Sequence, residues 1–183
     1  NSEYYVAKGT HVYKLDASCS VDIDYNFNIS GSIFALSFDR LNNLYMGGFD
    51  TKVYRLNDGN YSQMEMWHDF GSGKAGGDFV MYNDKMYIAW NYNNNYRLLE
   101  VTVNANNDYV SHNDLGNIPT QTFGLASELG NLYGITPNEL YKISIPNLST
   151  QTVLTNTSSA SWYGAAGKNE AVNFITNAYE TLS

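Results

Sequence analysis

The side chains best suited to meet a ligand lie in one short run, Trp90-Asn91-Tyr92-Asn93-Asn94-Asn95. Aromatic rings stack on the apolar face of a sugar, and carboxamides offer its hydroxyls both donors and acceptors. Trp90, Asn91, Tyr92 and Asn94 therefore form the candidate ligand-binding set. The same run suits a solvated hairpin, because Asn tolerates the left-handed backbone of a tight turn. A second segment, Gly71-Ser72-Gly73-Lys74-Ala75-Gly76-Gly77, has the glycines and lysine of an anion-cradling loop. Its spacing departs from Gly-x-x-x-x-Gly-Lys-Ser/Thr and no helical pattern follows it, so the expectation is a flexible connector.

His11, His68 and His112 make up the histidine inventory and sit in separate segments, with no His-x-His pair and no carboxylate four residues after any of them. Ligands must converge on a metal, so no histidine site is expected. Asp22, Asp24 and Asp58 are oxygen donors of the kind calcium takes, but the twelve-residue loop with its distal Glu is absent and turn chemistry accounts for them. Hydrolysis would need two opposed carboxylates or a nucleophile beside a base. No Gly-x-Ser-x-Gly elbow occurs, and Cys19 lies between Ser18 and Ser20 at an expected strand end. A non-enzymatic chain without cofactor or metal is expected.

The elements that position these groups emerge from an internal repeat. A Tyr-basic-aliphatic triplet recurs as Tyr13-Lys14-Leu15, Tyr54-Arg55-Leu56, Tyr96-Arg97-Leu98 and Tyr141-Lys142-Ile143, at spacings of 41, 42 and 45 residues. Eight or nine residues ahead of each triplet stands a second aromatic, Tyr5, Tyr45, Tyr87 or Tyr133, and ahead of that an aromatic-led run begins at Phe34, Phe79, Phe123 and Trp162. A weaker fourth strand is placed at residues 21–27, 63–68, 110–114 and 151–156. Short runs rich in Tyr, Val and Ile, broken by Asn, Asp and Gly turns, predict four strands per unit of about 40–45 residues, the period of a β-propeller blade. The fold class is therefore all-β, a propeller with four blades visible. The units run over residues 1–30 plus 159–167, 31–70, 71–118 and 119–158 within a domain of residues 1–176; residues 177–183 read as a linker or the start of another segment. The first unit lacks an innermost strand and Trp162 to Gly167 is expected to supply it, giving four complete blades. Residues 170–182 are the one stretch with any helical pattern.

The chain has 183 residues, 43% of them hydrophobic, and a formal net charge of −8 from 10 Lys and Arg against 18 Asp and Glu. Those values fit one globular domain. Acidity without a basic stripe opposes nucleic-acid binding, and no apolar run approaches the roughly 18 residues of a spanning helix, so membrane insertion by this segment is not expected. One cysteine excludes an internal disulfide framework. The start at Asn1-Ser2 reads as an excerpt or a processed product.

Residues 122–174, with Gly124-Leu125-Ala126, Gly130-Asn131-Leu132-Tyr133-Gly134-Ile135-Thr136, Leu140-Tyr141-Lys142-Ile143 and Trp162-Tyr163-Gly164-Ala165-Ala166-Gly167-Lys168-Asn169-Glu170-Ala171, resemble the propeller-like repeats of large secreted surface proteins in gliding Bacteroidetes. The triplets extend that resemblance at blade level over nearly the whole chain. It implies a cell-surface, extracellular adhesin segment exported by the type 9 secretion system. The partners it implies are an outer-membrane anchoring or secretion-system protein, or surface glycans. It transfers no catalytic residue. A small secreted carbohydrate-binding propeller lectin is the alternative, followed by a propeller glycoside hydrolase or lyase with carboxylates on the innermost strands.

Overall fold

The computed structural model describes residues 4–164, which form fifteen strands and, among the described residues, no helix. The first sheet holds β1 (Tyr4–Lys8), β2 (His11–Leu15) and β3 (Val21–Asn26). The second holds β4 (Ala35–Phe38), β5 (Leu44–Gly47), β6 (Lys52–Leu56) and β7 (Glu65–Asp69). In the third, β8 (Lys74–Tyr82), β9 (Lys85–Tyr92), β10 (Asn95–Val103) and β11 (Tyr109–Asn117) are longer. The fourth is built from β12 (Gly124–Glu128), β13 (Asn131–Ile135), β14 (Glu139–Ser144) and β15 (Ser149–Thr155). Each sheet is an antiparallel meander of consecutive strands, and β4, β8 and β12 lie side by side at the centre. This is a β-propeller, as the repeat predicts, with three four-stranded blades and, among the described residues, three strands in the first.

The blades are held face to face by apolar side chains, which is why the middle strands do not alternate cleanly between apolar and polar. All four residues of β5 are buried, whereas all seven of β15 are exposed. One face of each sheet looks back and the other looks forward. Leu44, Met46 and Leu56 pack back against Val12 of the first sheet; Met86, Ile88, Leu99 and Val101 pack back against Ala35, Tyr45 and Val53; Leu125, Leu132 and Ile143 pack back against Val80, Ala89 and Leu98. Each such fully buried side chain contributes about 1.5–3 kcal/mol.

The paired strands explain the repeat. The second-strand tyrosine stands opposite the charged residue of the next strand: Tyr5 opposite Lys14, Tyr45 opposite Arg55 and Tyr133 opposite Lys142. In the third sheet Tyr87 faces Glu100, so Leu99-Glu100-Val101 holds the place expected for Tyr96-Arg97-Leu98. The hairpin β9–β10 is longer by a turn-proximal stretch, which slides the Tyr-Arg-Leu text three residues toward the turn. The charge is reversed there, and Lys85 supplies the cation: its Nζ lies 2.5 Å from Glu100 Oε1 while the Tyr87 hydroxyl donates to Oε2 at 2.9 Å. Burial pushes Glu100 upward, but those two donors outweigh it and hold the carboxyl below its ordinary range.

After each outer strand the chain is tied back to its own middle hairpin by one backbone bond. These bonds run from Phe27 N to Thr10 O, Phe70 N to Thr51 O, Ile118 N to Tyr96 O and Asn156 N to Asn138 O, all between 2.7 and 3.0 Å. The chain then crosses toward the centre. Trp162 to Gly164 are not a strand, and Trp162 N bonds to Pro137 O of the fourth sheet. That part of the expected closing strand thus lies along the fourth blade rather than beside β1; residues 165–167, and the weak helical pattern at 170–182, lie outside the described residues.

Candidate functional site

The starts of the innermost strands and the turns between second and third strands share one rim. The longest feature on it is the hairpin of β9 and β10, whose turn residues Asn93 and Asn94 have φ of 52° and 69°. Two successive left-handed residues close a two-residue turn that matches strand twist, a conformation Asn adopts readily. Asn94 N donates to Asn91 Oδ1 at 2.6 Å and stiffens the loop.

The four candidate residues are brought together but do not share a role. Trp90 has 0% exposure, and its Nε1 donates to Ser72 O at 2.9 Å while Phe70 lies 4.6 Å from its ring. It is buried and anchors the hairpin. Asn91 and Tyr92 are half-buried and Asn94 is exposed; these remain available. The glycine-rich segment is the other half of the anchor. Gly73 has φ of 76°, and a Cβ there would run into Trp90 Nε1. A Cβ at Gly76 would come within 2.8 Å of Asn91 and Tyr96. The segment is a connector only over residues 70–73; Lys74 to Gly77 belong to β8, where pairing with β9 is irregular between Ala75 and Phe79.

Lys74 is paired with Asn91 across the two strands, and its Nζ sits 5.5 Å from the ring of Phe34, which is 57% exposed at the start of β4. Phe34 N bonds to Gly47 O, and Gly48 with φ of 109° leaves room for its ring. Phe34 and Lys74 thus meet between the second and third blades, and the β9–β10 hairpin adds Tyr92 on the face toward the second blade, Asn91 on the opposite face and Asn94 at the turn; together these make up a rim strip. Phe34 was missed from sequence because its aromatic-led run reads as core. Farther along the same rim Tyr163, 70% exposed, stacks on Phe123 at 5.5 Å.

A second cluster lies between the outer strands of the same two blades. His68 stacks on Tyr109 at 3.4 Å, Phe70 and His68 both face His112, and the Tyr109 hydroxyl is 2.8 Å from His112 Nδ1. Burial, and then the neighbouring His112, hold His68 below its ordinary value. Two of the three histidines therefore meet despite lying 44 positions apart, although among the described residues no group of three metal-ligating side chains converges. Elsewhere His11 pairs with Asp24 at 2.7 Å, Asp22 lies 3.8 Å from Lys14, Asp58 takes a bond from Tyr61, and Cys19 sits exposed in the turn before β3.

On the opposite rim Asp39, 2% exposed, locks the second blade to the third. Its Oδ1 accepts from the backbone N–H of Leu41 and Asn43 at 2.8 and 2.9 Å; its Oδ2 accepts from Asn43 Nδ2, the Tyr45 hydroxyl and Asn107 Nδ2 at 2.9, 3.0 and 2.8 Å. Trp67 Nε1 donates to the carbonyl of Asn107, which also lies 3.2 Å from the Tyr45 hydroxyl as an alternative acceptor, and Arg55 bridges Glu65 and Asp108 at 2.8 Å each. Burial, with Asp39 adding to it, drives the Tyr45 hydroxyl well above its usual range. The described innermost strands carry two carboxylates, Asp78 in β8 and Glu128 at the end of β12. The carboxyls with displaced protonation, Asp16, Asp69, Glu100 and Asp108, are all held toward the ionised form by hydrogen-bond donors.

No family model and no curated protein matches the chain. Solved structures do. The chain is similar to a protein in a nidogen/laminin complex, with TM-score 0.66 at 10% identity over 88% of this chain and 64% of that one. It is similar to a gluconolactonase from Xanthomonas campestris, with TM-score 0.64 at 8% identity over 91% and 63%. A luciferin-regenerating enzyme gives 0.60 at 15% identity over 88% and 61%. At such identities the likeness defines the class, a β-propeller, and nothing finer. The chain spans somewhat under two thirds of the length of each of these neighbours.

Proposed function

We propose that the chain is a non-enzymatic binding module of an extracellular, cell-surface adhesin of the kind that gliding Bacteroidetes export through the type 9 system, and that its rim strip binds surface glycans. The observation that carries this reading is the grouping of these side chains on one rim: an exposed ring at Phe34 beside the Lys74 cation, and, on the adjoining hairpin, the Tyr92 ring and the Asn91 and Asn94 amides. Stacking surface beside amide donors and acceptors suits a sugar ring. Many copies along a long surface protein would convert weak contacts into firm attachment.

The test is retention of the chain on an array of bacterial and host glycans, compared with Phe34→Ala and with a Tyr92→Ala, Asn94→Ala double variant. Binding by the parent and its loss in both variants, with unchanged fluorescence of the buried Trp90, is the expected result. Retention that is equal in all three removes the strip from the model; retention on an outer-membrane protein in place of glycans would assign the rim to an anchoring partner.

A further inference from the structure

The four sheets follow one another along an arc, and the repeat allows the same position to be compared from blade to blade. The second-strand residues that look back at the preceding blade are Leu44 and Met46 in the second sheet and Met86 and Ile88 in the third, all between 0 and 2% exposed. Their counterparts in the first sheet, Tyr4 and Val6, are 51% and 43% exposed, and Val21 on the same side of that sheet stands open as well. At the other end the forward-looking side of the fourth sheet has no partner sheet among the described residues. Ile135 and Leu140 are only half-buried, whereas Val53 at the position of Leu140 is fully buried. Together with Leu154, Trp162 and Tyr163 they line a groove of about 520 Å³. The crossing after β15 also repeats an earlier one, for Trp162 N bonds to Pro137 O as Ile33 N bonds to Gly9 O on the way from the first sheet to the second.

We propose that these two faces are docking surfaces for two further four-stranded units of the same repeat, carried by a longer form of this polypeptide, which complete the arc into a ring of six. The interfaces already present within the chain set the chemistry of the occupant: a backward-looking aliphatic face for the fourth sheet and a forward-looking face bearing a tyrosine opposite a charged residue for the first. Length sets the number. The neighbours extend beyond the matched portion by about 90 to 100 residues, which is two units of the observed period. A second copy of the chain would bring four blades, about twice the length by which these neighbours exceed the matched portion. Closing the ring removes the open sheet faces and their edges.

The experiment places one thiol on each face, Val6→Cys or Leu154→Cys, each in a Cys19→Ser background, and measures maleimide labelling together with mass by light scattering. Both substitutions put a smaller side chain at an exposed site, and Trp fluorescence checks the fold. In the 183-residue chain the expected result is a monomer of 20.5 kDa whose thiols label within about threefold of the unfolded rate. In the polypeptide as its source makes it, both sites should slow by about a hundredfold or more. Unchanged labelling there overturns the proposal. So does protection already present in the monomeric 183-residue chain, which would mean the chain covers its own faces, and so does protection that appears only with dimer mass, which would assign the faces to a second copy.

Discussion

Replacing Asp39 by Asn tests whether the polar lock on the lower rim holds the second and third blades together. The substitution keeps the volume and the two backbone bonds to Leu41 and Asn43, which can still reach the remaining carbonyl oxygen. It turns the other oxygen into an N–H donor facing three donors: Asn43 Nδ2, the Tyr45 hydroxyl and Asn107 Nδ2. Tyr45 can turn to donate to the Asn107 carbonyl alone, at 3.2 Å, and accept from the new amide. Asn43 Nδ2 is left without an acceptor, whereas Asn107, whose buried Oδ1 has no partner beside Asp39, can turn its amide to accept from the new N–H. A buried donor so orphaned costs about 1–3 kcal/mol, and the lost bonds were to a charged acceptor, so the expected destabilisation is about 2–3 kcal/mol. Guanidinium denaturation of parent and variant, followed by Trp fluorescence, reads this as a lower midpoint at unchanged slope. Asp84→Asn, which removes an exposed partner 3.9 Å from Arg40, serves as the control and should stay within about 0.5 kcal/mol. A loss below about 1 kcal/mol for Asp39→Asn would refute the claim that this network carries the contact.

Gly73 and Gly59 share a left-handed backbone, φ 76° and 75°, but only Gly73 has Trp90 against it; Gly73→Ala should cost about 3 kcal/mol or more and Gly59→Ala about 1–2, and equal costs in denaturation would show that the Trp90 anchor is unimportant. Because His68 is held below its ordinary value of 6.5, the unfolded chain takes the proton first, so this contribution is whole above about pH 7 and is lost as pH falls below 6.5. Denaturation midpoints should therefore drop from pH 7.5 to pH 5.5, and His68→Gln should flatten that drop; an identical pH dependence in the variant would clear His68 of the effect. The groups facing it are His112, Tyr109 and Asp69, and Asp69 is held below its usual range, so pH 5.5 lies above its titration.

Strand placement was legible in the sequence to within a few residues because turn chemistry and the recurring tyrosine both report local backbone. The third blade shows where text and structure part. Tyr96-Arg97-Leu98 carries the repeated letters, yet hydrogen-bond register puts Leu99-Glu100-Val101 in the repeated place, and only pairing across β9 reveals it. The site was half legible. The hairpin of Asn91 to Asn94 was found from its composition, but a tryptophan beside a turn reads the same whether it anchors or contacts, and Trp90 anchors. Phe34 with Lys74, His68 with His112, and Asp39 with Asn107 were invisible for one reason. Each joins residues of different sheets, whose mutual placement depends on the angle between blades rather than on any local pattern.

Every strand pairing among the described residues joins neighbours in sequence, and the backbone tie after each outer strand closes on the same unit's hairpin. Loop-closure entropy is thus met in short steps, so a unit can form as it leaves the ribosome without waiting for distant chain. Under tension the same topology unzips one meander at a time, sheet by sheet, and a chain of such units lengthens in increments while the remaining ones keep their shape.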